Sequence, residues 1–200
     1  MCFYSKIIDP LLKDLRDYIP EFAGMKAGDI VLDVCCGTGD QVFHYREKGI
    51  SAVGIDKRKE MIEFAERKKQ RLSLNDVSFY VGNATKLPFE DNSFDFVSVS
   101  FGLHEMKKAE RDKTILEMKR VVKREGSLIF VDFSSPLPKN IFSFILKTVE
   151  FAAGKENYNC FREFISSGGL PNLLKKNNLR VEREGLIKSG IVSILKVKLT

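Results

Sequence analysis

The side chains best placed to do chemistry stand where short apolar runs end. Asp33 and the turn Cys35-Cys36-Gly37-Thr38-Gly39 close the run from Ile30, Asp56 closes Ser51 to Asp56, Asn83-Ala84-Thr85 follow Val77 to Gly82, and His104 follows Phe94 to Ser100. Gly37 and Gly39 reach positive φ cheaply and let a ligand meet bare backbone. An acid at such a turn suits a ligand that carries an amino group and a positive centre. Asp56 lies 17 residues beyond Gly39, near the ~20-residue offset at which doubly wound nucleoside-binding folds place a ribose-binding carboxylate. A carboxylate accepts from both vicinal hydroxyls of a ribose, and few other side chains can. His104, one of two histidines, can take up a proton near neutral pH beyond a strand end, where ligands of open α/β sheets bind. The plainer role for it is packing. His44, within a helical stretch, has no such setting.

Phosphate-cradling motifs do not fit the first turn. The dinucleotide fingerprint wants a third glycine where Val42 stands, and the terminal Gly-Lys-Ser/Thr of a P-loop is missing. A nicotinamide oxidoreductase is disfavoured on the same ground. The stretch Asp33-Val-Cys-Cys-Gly-Thr-Gly-Asp40 resembles motif I of class I S-adenosylmethionine-dependent methyltransferases, and in this form is similar to the ubiquinone/menaquinone-biosynthesis C-methyltransferase family, with Cys35 in place of the first glycine usual in the class.

That resemblance implies a set of cofactor contacts. Asp33 and the backbone of Cys35, Cys36, Gly37, Thr38 and Gly39 would hold the methionine end, and Asp56 the ribose. Lys57 and Met61 would lie against adenine, where an aliphatic stem and a thioether can pack on a ring face, with a place in the core as the alternative for Met61. Asn83-Ala84-Thr85, before Leu87-Pro88-Phe89, matches the block that meets the adenine amino group, and Ser100 ends the fourth strand. Asn83 replaces the usual Asp, so its carbonyl would accept from the exocyclic amine and its amide would donate to a ring nitrogen. Methylation of nucleic-acid bases is disfavoured, because the Asn/Asp-Pro-Pro-Tyr/Phe block of such enzymes is Ser-Phe-Gly-Leu here.

At 200 residues and 44% hydrophobic content, the chain suits one domain with a full core. No leader peptide and no apolar run of ~18 residues is evident, so a cytoplasmic protein is expected. Four cysteines, at 2, 35, 36 and 160, show no metal-ligand spacing. Cys35 and Cys36 are expected as small buried thiols, and no metal is expected. The net charge of +6 is uneven: 14 Lys/Arg against 16 Asp/Glu in residues 1–100, and 19 against 11 in residues 101–200. Because the basic residues of 107–124 alternate with acids and apolar positions at helical spacing, a solvated helix face is the simpler account, and nucleic acid is not an expected partner.

The spacing predicts a Rossmann-like α/β fold: a seven-stranded, mostly parallel sheet with helices on both faces and an antiparallel hairpin at the end. Residues 1–27 carry a helix with an apolar stripe at Ile7, Ile8, Leu11, Leu12, Leu15 and Tyr18 that Pro20 closes; the resemblance implies a lid over the cofactor, and the plainer role is to cap the edge of the core. Residues 28–133 form the cofactor-binding core. Within it, Lys108 to Lys123 is a helix whose Ile115, Leu116, Met118, Val121 and Val122 face the sheet, and Arg124-Glu125-Gly126 is a turn. Residues 134–177 supply helices on the substrate side. The apolar segment 139–153 is expected to wall a greasy pocket, or else to bury in the core, meet a second copy of the chain, or contact a membrane surface. Residues 178–200 form the hairpin. Taken together, the resemblance implies methyl transfer from S-adenosylmethionine to a small, hydrophobic acceptor, such as a quinol-like ring carbon, with His104 as base and Glu105 orienting it. The alternatives are O- or N-methylation of another metabolite, or a cofactor-binding regulator without turnover.

Overall fold

The computed structural model describes residues 3–152 and 154–199. The side chains of Ile7, Ile8, Leu11 and Phe142, and Cys2 as a whole, lie outside the described part. Strands β1 (Ile30–Val34), β2 (Ser51–Asp56), β3 (Val77–Val81), β4 (Phe94–Ser100), β5 (Val122–Phe133), β6 (Val181–Ile187) and β7 (Val192–Lys198) form one sheet in the order β3-β2-β1-β4-β5-β7-β6. Strands β1 to β5 run parallel, while β7 is antiparallel to β5 and to β6. The hairpin is thus present, with its second strand inserted between β5 and the edge strand β6.

Two cores flank the sheet. Helices α1 (Phe3–Ala23), α2 (Asp40–Glu47) and α3 (Lys59–Arg71) cover one face through Leu15, Ile19, Phe22, Val42, Phe43, Ile62 and Ala65. Helices α4 (Lys108–Val121), α6 (Lys155–Ser166) and α7 (Gly169–Lys176) cover the other through Ile115, Met118, Val121, Phe164, Leu170 and Leu174. The period-two alternation of β1 sorts its side chains accordingly: Val31 joins the first core, Leu32 and Val34 the second. Asp33 therefore points to the α1–α3 side. Topology reverses at β1, which pairs with β2 on one side and β4 on the other, so a crevice opens beyond the carboxyl ends of those strands.

Several local expectations need correction. Pro20 lies inside α1, which runs on to Ala23. Gly24 ends it, at φ +74°, through Gly24 N–H to Glu21 O and Met25 N–H to Pro20 O, a Schellman turn that uses the proline's carbonyl and does not need its missing N–H. Residues 124–126 are not a turn but part of β5, where the pairing with β4 steps from Phe94–Val122 to Phe96–Ser127, a bulge that absorbs the extra residues. On α4, Leu116 is 64% exposed and does not face the sheet. Arg111 is the converse. Expected on a solvated face, it is buried, with Nε and Nη2 donating to Leu103 O and Cys160 O at 2.9 Å and Nη1 paired to Glu163, so that it ties α4 to α6.

Helix α5 (Ile141–Ala152) turns Val149, Glu150 and Ala152 to a cavity, as a pocket wall would, and leaves much of its apolar surface uncovered. Ile141, Phe144, Ile145 and Phe151 are exposed, Phe144 by 68%, whereas Ser143 is buried and Glu150 turns inward. Lys147 and Thr148 are exposed as well.

Candidate functional site

A cavity of about 670 Å³ lies beyond the carboxyl ends of β1, β2 and β4. Asp33, Cys35, Cys36, Gly37, Thr38, Asp56, Lys57, Met61, Asn83, Ala84, Thr85 and Ser100 all line it, so every cofactor residue expected from the sequence meets there except Gly39. Gly39 has a different task. At φ +77°, a Cβ on it would stand 2.5 Å from Phe79 Cε1 and 3.0 Å from Ala65 Cβ, so glycine is required for the turn to pack on β3 and α3. Gly39→Ala is expected to destabilise the fold by about 1–3 kcal/mol through overpacking and a strained φ. Chemical denaturation would read this, and an unchanged midpoint would contradict it.

Asp56 is 4% exposed and held at both oxygens: Oδ2 accepts from Gly37 N–H and Oδ1 from Arg58 N–H, each at 2.9 Å. The turn after β1 and the tip of β2 are thereby locked into one unit, with carboxylate lone pairs left over for a diol. Asp33 is buried and accepts from Ser98 Oγ at 2.8 Å. Burial pushes its carboxyl up to about 7, despite the Ser98 hydrogen bond and the field of Arg16, and the nearby Asp56 adds to the rise. Cys35 occupies the left-handed region at φ +60°, the conformation that makes glycine usual at that point, and its Cβ fits because Gly102 opposite has none: a Cβ there would come within 2.8 Å. Burial raises both the Cys35 and Cys36 thiols, with Asp56 and Asp33 adding to it, so neither is a ready thiolate.

Asn83 requires a correction. Its Oδ1 accepts from both the N–H and the Oγ1 of Thr85 at 2.9 Å, closing an Asx turn. The carbonyl is therefore committed to the loop, and only the amide nitrogen remains to meet a base.

The expected leader helix supplies further lining residues, with Arg16 and Ile19 added to its apolar stripe. Leu12, Leu15, Arg16 and Ile19 bring α1 over the cavity, so the leader helix both covers it and, through Leu15 and Ile19, belongs to the core. Gln41 Nε2 donates to Arg16 O at 3.2 Å, which ties α1 to α2. Gln41 Oε1 and Ser100 Oγ are buried without a hydrogen-bond partner, and both residues line the cavity. Buried polar atoms are rarely left so, and a polar ligand would satisfy them. With the anchored Asp56, they make the cavity fit S-adenosylmethionine: a diol, an amino acid end and a base to be held by a carboxylate, an acid, a hydroxyl and amides.

His104 is 2% exposed and does not line the cavity. Its Nδ1 lies 2.7 Å from Asp132 Oδ1, its backbone N–H donates to Asp132 Oδ2 at 3.2 Å, and Phe133 and Phe161 pack on its ring. The orienting acid is therefore Asp132, not Glu105. Burial opposes the charged ring, but the charge and hydrogen bond of Asp132, with Glu150 and Glu105 beyond, outweigh it and raise its pKa to about 8. A histidine raised above 6.5 on folding contributes stability that is complete below that value and is lost as pH rises through about 8. We expect about 2 kcal/mol of unfolding free energy to disappear over that window in the wild type, and that component to vanish in Asp132→Asn. Parallel pH curves for the two proteins would refute the pairing. His44, for its part, sits 2.8 Å from Asp17 on α1, away from the cavity lining.

A doubly wound sheet of this strand order, with acids at the tips of its first two strands meeting in one cavity, defines the S-adenosylmethionine-dependent methyltransferase class. The model of the ubiE/COQ5 methyltransferase family matches residues 11–152, and the chain belongs to that family. It is 36% identical over 146 residues to a demethylmenaquinone methyltransferase of Oceanobacillus iheyensis, covering 70% of this chain and 60% of that protein. It is 32% identical over 175 residues to one of Thermotoga maritima, covering 80% and 73%. The chain spans only about half to three fifths of the length of most such relatives. A SAM-dependent methyltransferase from Aquifex aeolicus shares the fold, with a TM-score of 0.74 at 22% identity over 98% of this chain and 96% of that one. No helix among the described residues is long and apolar enough to cross a membrane.

Proposed function

We propose that this chain transfers a methyl group from S-adenosylmethionine to a small hydroxylated aromatic acceptor of quinol type. The observation that carries this reading is the cavity itself: Asp56, fixed by two backbone N–H groups, stands in one space with Asp33, Ser100 and the Asn83–Thr85 turn. Family membership and the demethylmenaquinone methyltransferases among its relatives support the acceptor class.

When bound, S-adenosylmethionine supplies an electrophilic methyl group on a sulfonium centre. Asp56 would hold the ribose hydroxyls, Asp33 in its ionised form the amino group, the turn after β1 the carboxylate, and Met61 and Ala84 the base. Leu12, Leu15 and Ile19 of α1 close over the cavity and exclude water. Phe101, Met106 and Val149 add apolar wall, and Glu105, Glu110, Glu150 and Asn157 the polar part. Methyl transfer needs an in-line approach of acceptor atom, methyl carbon and sulfur, so positioning and dryness contribute most of the acceleration.

Titration calorimetry with S-adenosylmethionine and S-adenosylhomocysteine tests the cofactor. Incubation with reduced naphthoquinols, phenols and amines, followed by S-adenosylhomocysteine release, tests the acceptor. Product from hydroxy-arenes alone is the expected result. Tight cofactor binding with no product across the panel favours a regulator, and amine turnover moves the chain to N-methylation.

A further inference from the structure

The polar groups of the cavity wall are not equivalent. Asp33, Asp56 and Ser100 come from the strand tips, whereas Glu150 comes from α5, the helix that leaves much of its apolar surface uncovered. Glu150 Oε2 lies 3.8 Å from His104 Nε2, and His104 Nδ1 is held by Asp132 at 2.7 Å. Because the imidazole is buried and Glu150 lines the cavity, a molecule in the cavity meets the carboxylate and not the ring. We propose that Glu150 takes the hydroxyl proton of the hydroxy-arene acceptor, and that His104 and Asp132 are positioning residues behind it.

This inference rests on the proposed acceptor class and adds a residue to it. In the step, the acceptor O–H bond breaks, the proton bonds to a Glu150 carboxylate oxygen, and the electron pair stays on the acceptor oxygen, where conjugation into the ring makes its carbon nucleophilic. Negative charge passes from carboxylate to acceptor and remains near the imidazolium. The ionisable groups that act on Glu150 are His104 and Glu105 from the loop after β4 and Asp132 from β5. Burial raises its proton affinity, His104 lowers it, and Glu105 and Asp132 raise it again, with a net upward shift from the usual carboxylate value. A carboxylate so placed is a better base than an exposed one. Asp132, which also accepts from Phe133 N–H at 2.8 Å, fixes the orientation of the His104 ring and so presents Nε2 to Glu150.

The test uses the full chain and two readouts. In calorimetry with 4-nitrophenol, in buffers of different ionisation enthalpy and at a pH where the probe is ionised in solution, the wild type should take up about one proton per probe bound and Glu150→Gln about none. Equal uptake in the two proteins overturns the proposal. In turnover, Glu150→Gln should lower kcat by about 100-fold or more, as for loss of a general base, with KM and cofactor affinity little changed, and the loss should shrink as the acceptor becomes more acidic. A loss of the same size for every acceptor indicates a merely structural role and also overturns it. A wild type that neither binds 4-nitrophenol nor methylates any hydroxy-arene removes the acceptor class and this proposal with it, whereas a variant matching an active wild type removes the proposal alone.

Discussion

Asp33→Asn should make the cofactor-free protein more stable above neutral pH and at the same time weaken its grip on S-adenosylmethionine. Asp33 is buried, and its carboxyl is raised from 3.8 to about 7. A group whose folded value lies above its unfolded one stabilises the fold fully at low pH and loses that contribution as pH rises through the folded value. Ionisation of Asp33 by pH 8 therefore costs the empty protein on the order of 4 kcal/mol. Asparagine keeps an acceptor for the Ser98 hydroxyl, seen at 2.8 Å, and does not ionise. Urea unfolding at pH 5 and pH 8 should show the variant's advantage growing with pH, and parallel curves would refute it. The ionised carboxylate is also what an ammonium group would pair with, so the variant should lose about 1.5–3 kcal/mol of cofactor affinity. In the wild type, affinity should rise with pH through about 7. A stabilised variant that binds the cofactor as well as the wild type would separate Asp33 from the amino group.

Asp56→Ala is expected to weaken cofactor binding by about 1–3 kcal/mol through lost charge-assisted hydrogen bonds. Truncation also orphans the N–H groups of Gly37 and Arg58, both 2.9 Å from the carboxylate, so the empty protein should lose stability as well. Asp56→Asn separates the two effects. Its amide carbonyl can still cap one N–H, so stability should recover more than affinity does. Unchanged affinity in calorimetry of Asp56→Ala would refute the assignment of this acid to the ribose.

Much of the fold is legible one element at a time. The β-branched run before Gly37, the alternation in Ser51 to Asp56 and in Phe94 to Ser100, and the helical stripes between them depend on near neighbours in the chain, and the strands lie where those patterns put them. The errors share a cause. Pro20, the 124–126 bulge and the commitment of Asn83 Oδ1 to Thr85 each turn on where one backbone hydrogen bond goes, and composition does not report that. Arg111 is buried because it reaches Glu163 of α6, 52 residues away, whereas Leu116 lies off the face of α4 that Ile115, Met118 and Val121 bury.

By itself the sequence determined that acids and glycines at strand ends would converge, since a doubly wound sheet carries the tips of β1, β2 and β4 to one edge whatever the side chains between them. Only the tertiary structure decided how those groups are poised. Asp33 meets Ser98 across 65 residues, His104 meets Asp132 across 28, and Glu150 reaches the cavity from a helix whose own pattern would have turned it outward. Burial and hydrogen-bond partners, which set charge and proton affinity, are properties of the assembled core and belong to no single stretch of chain.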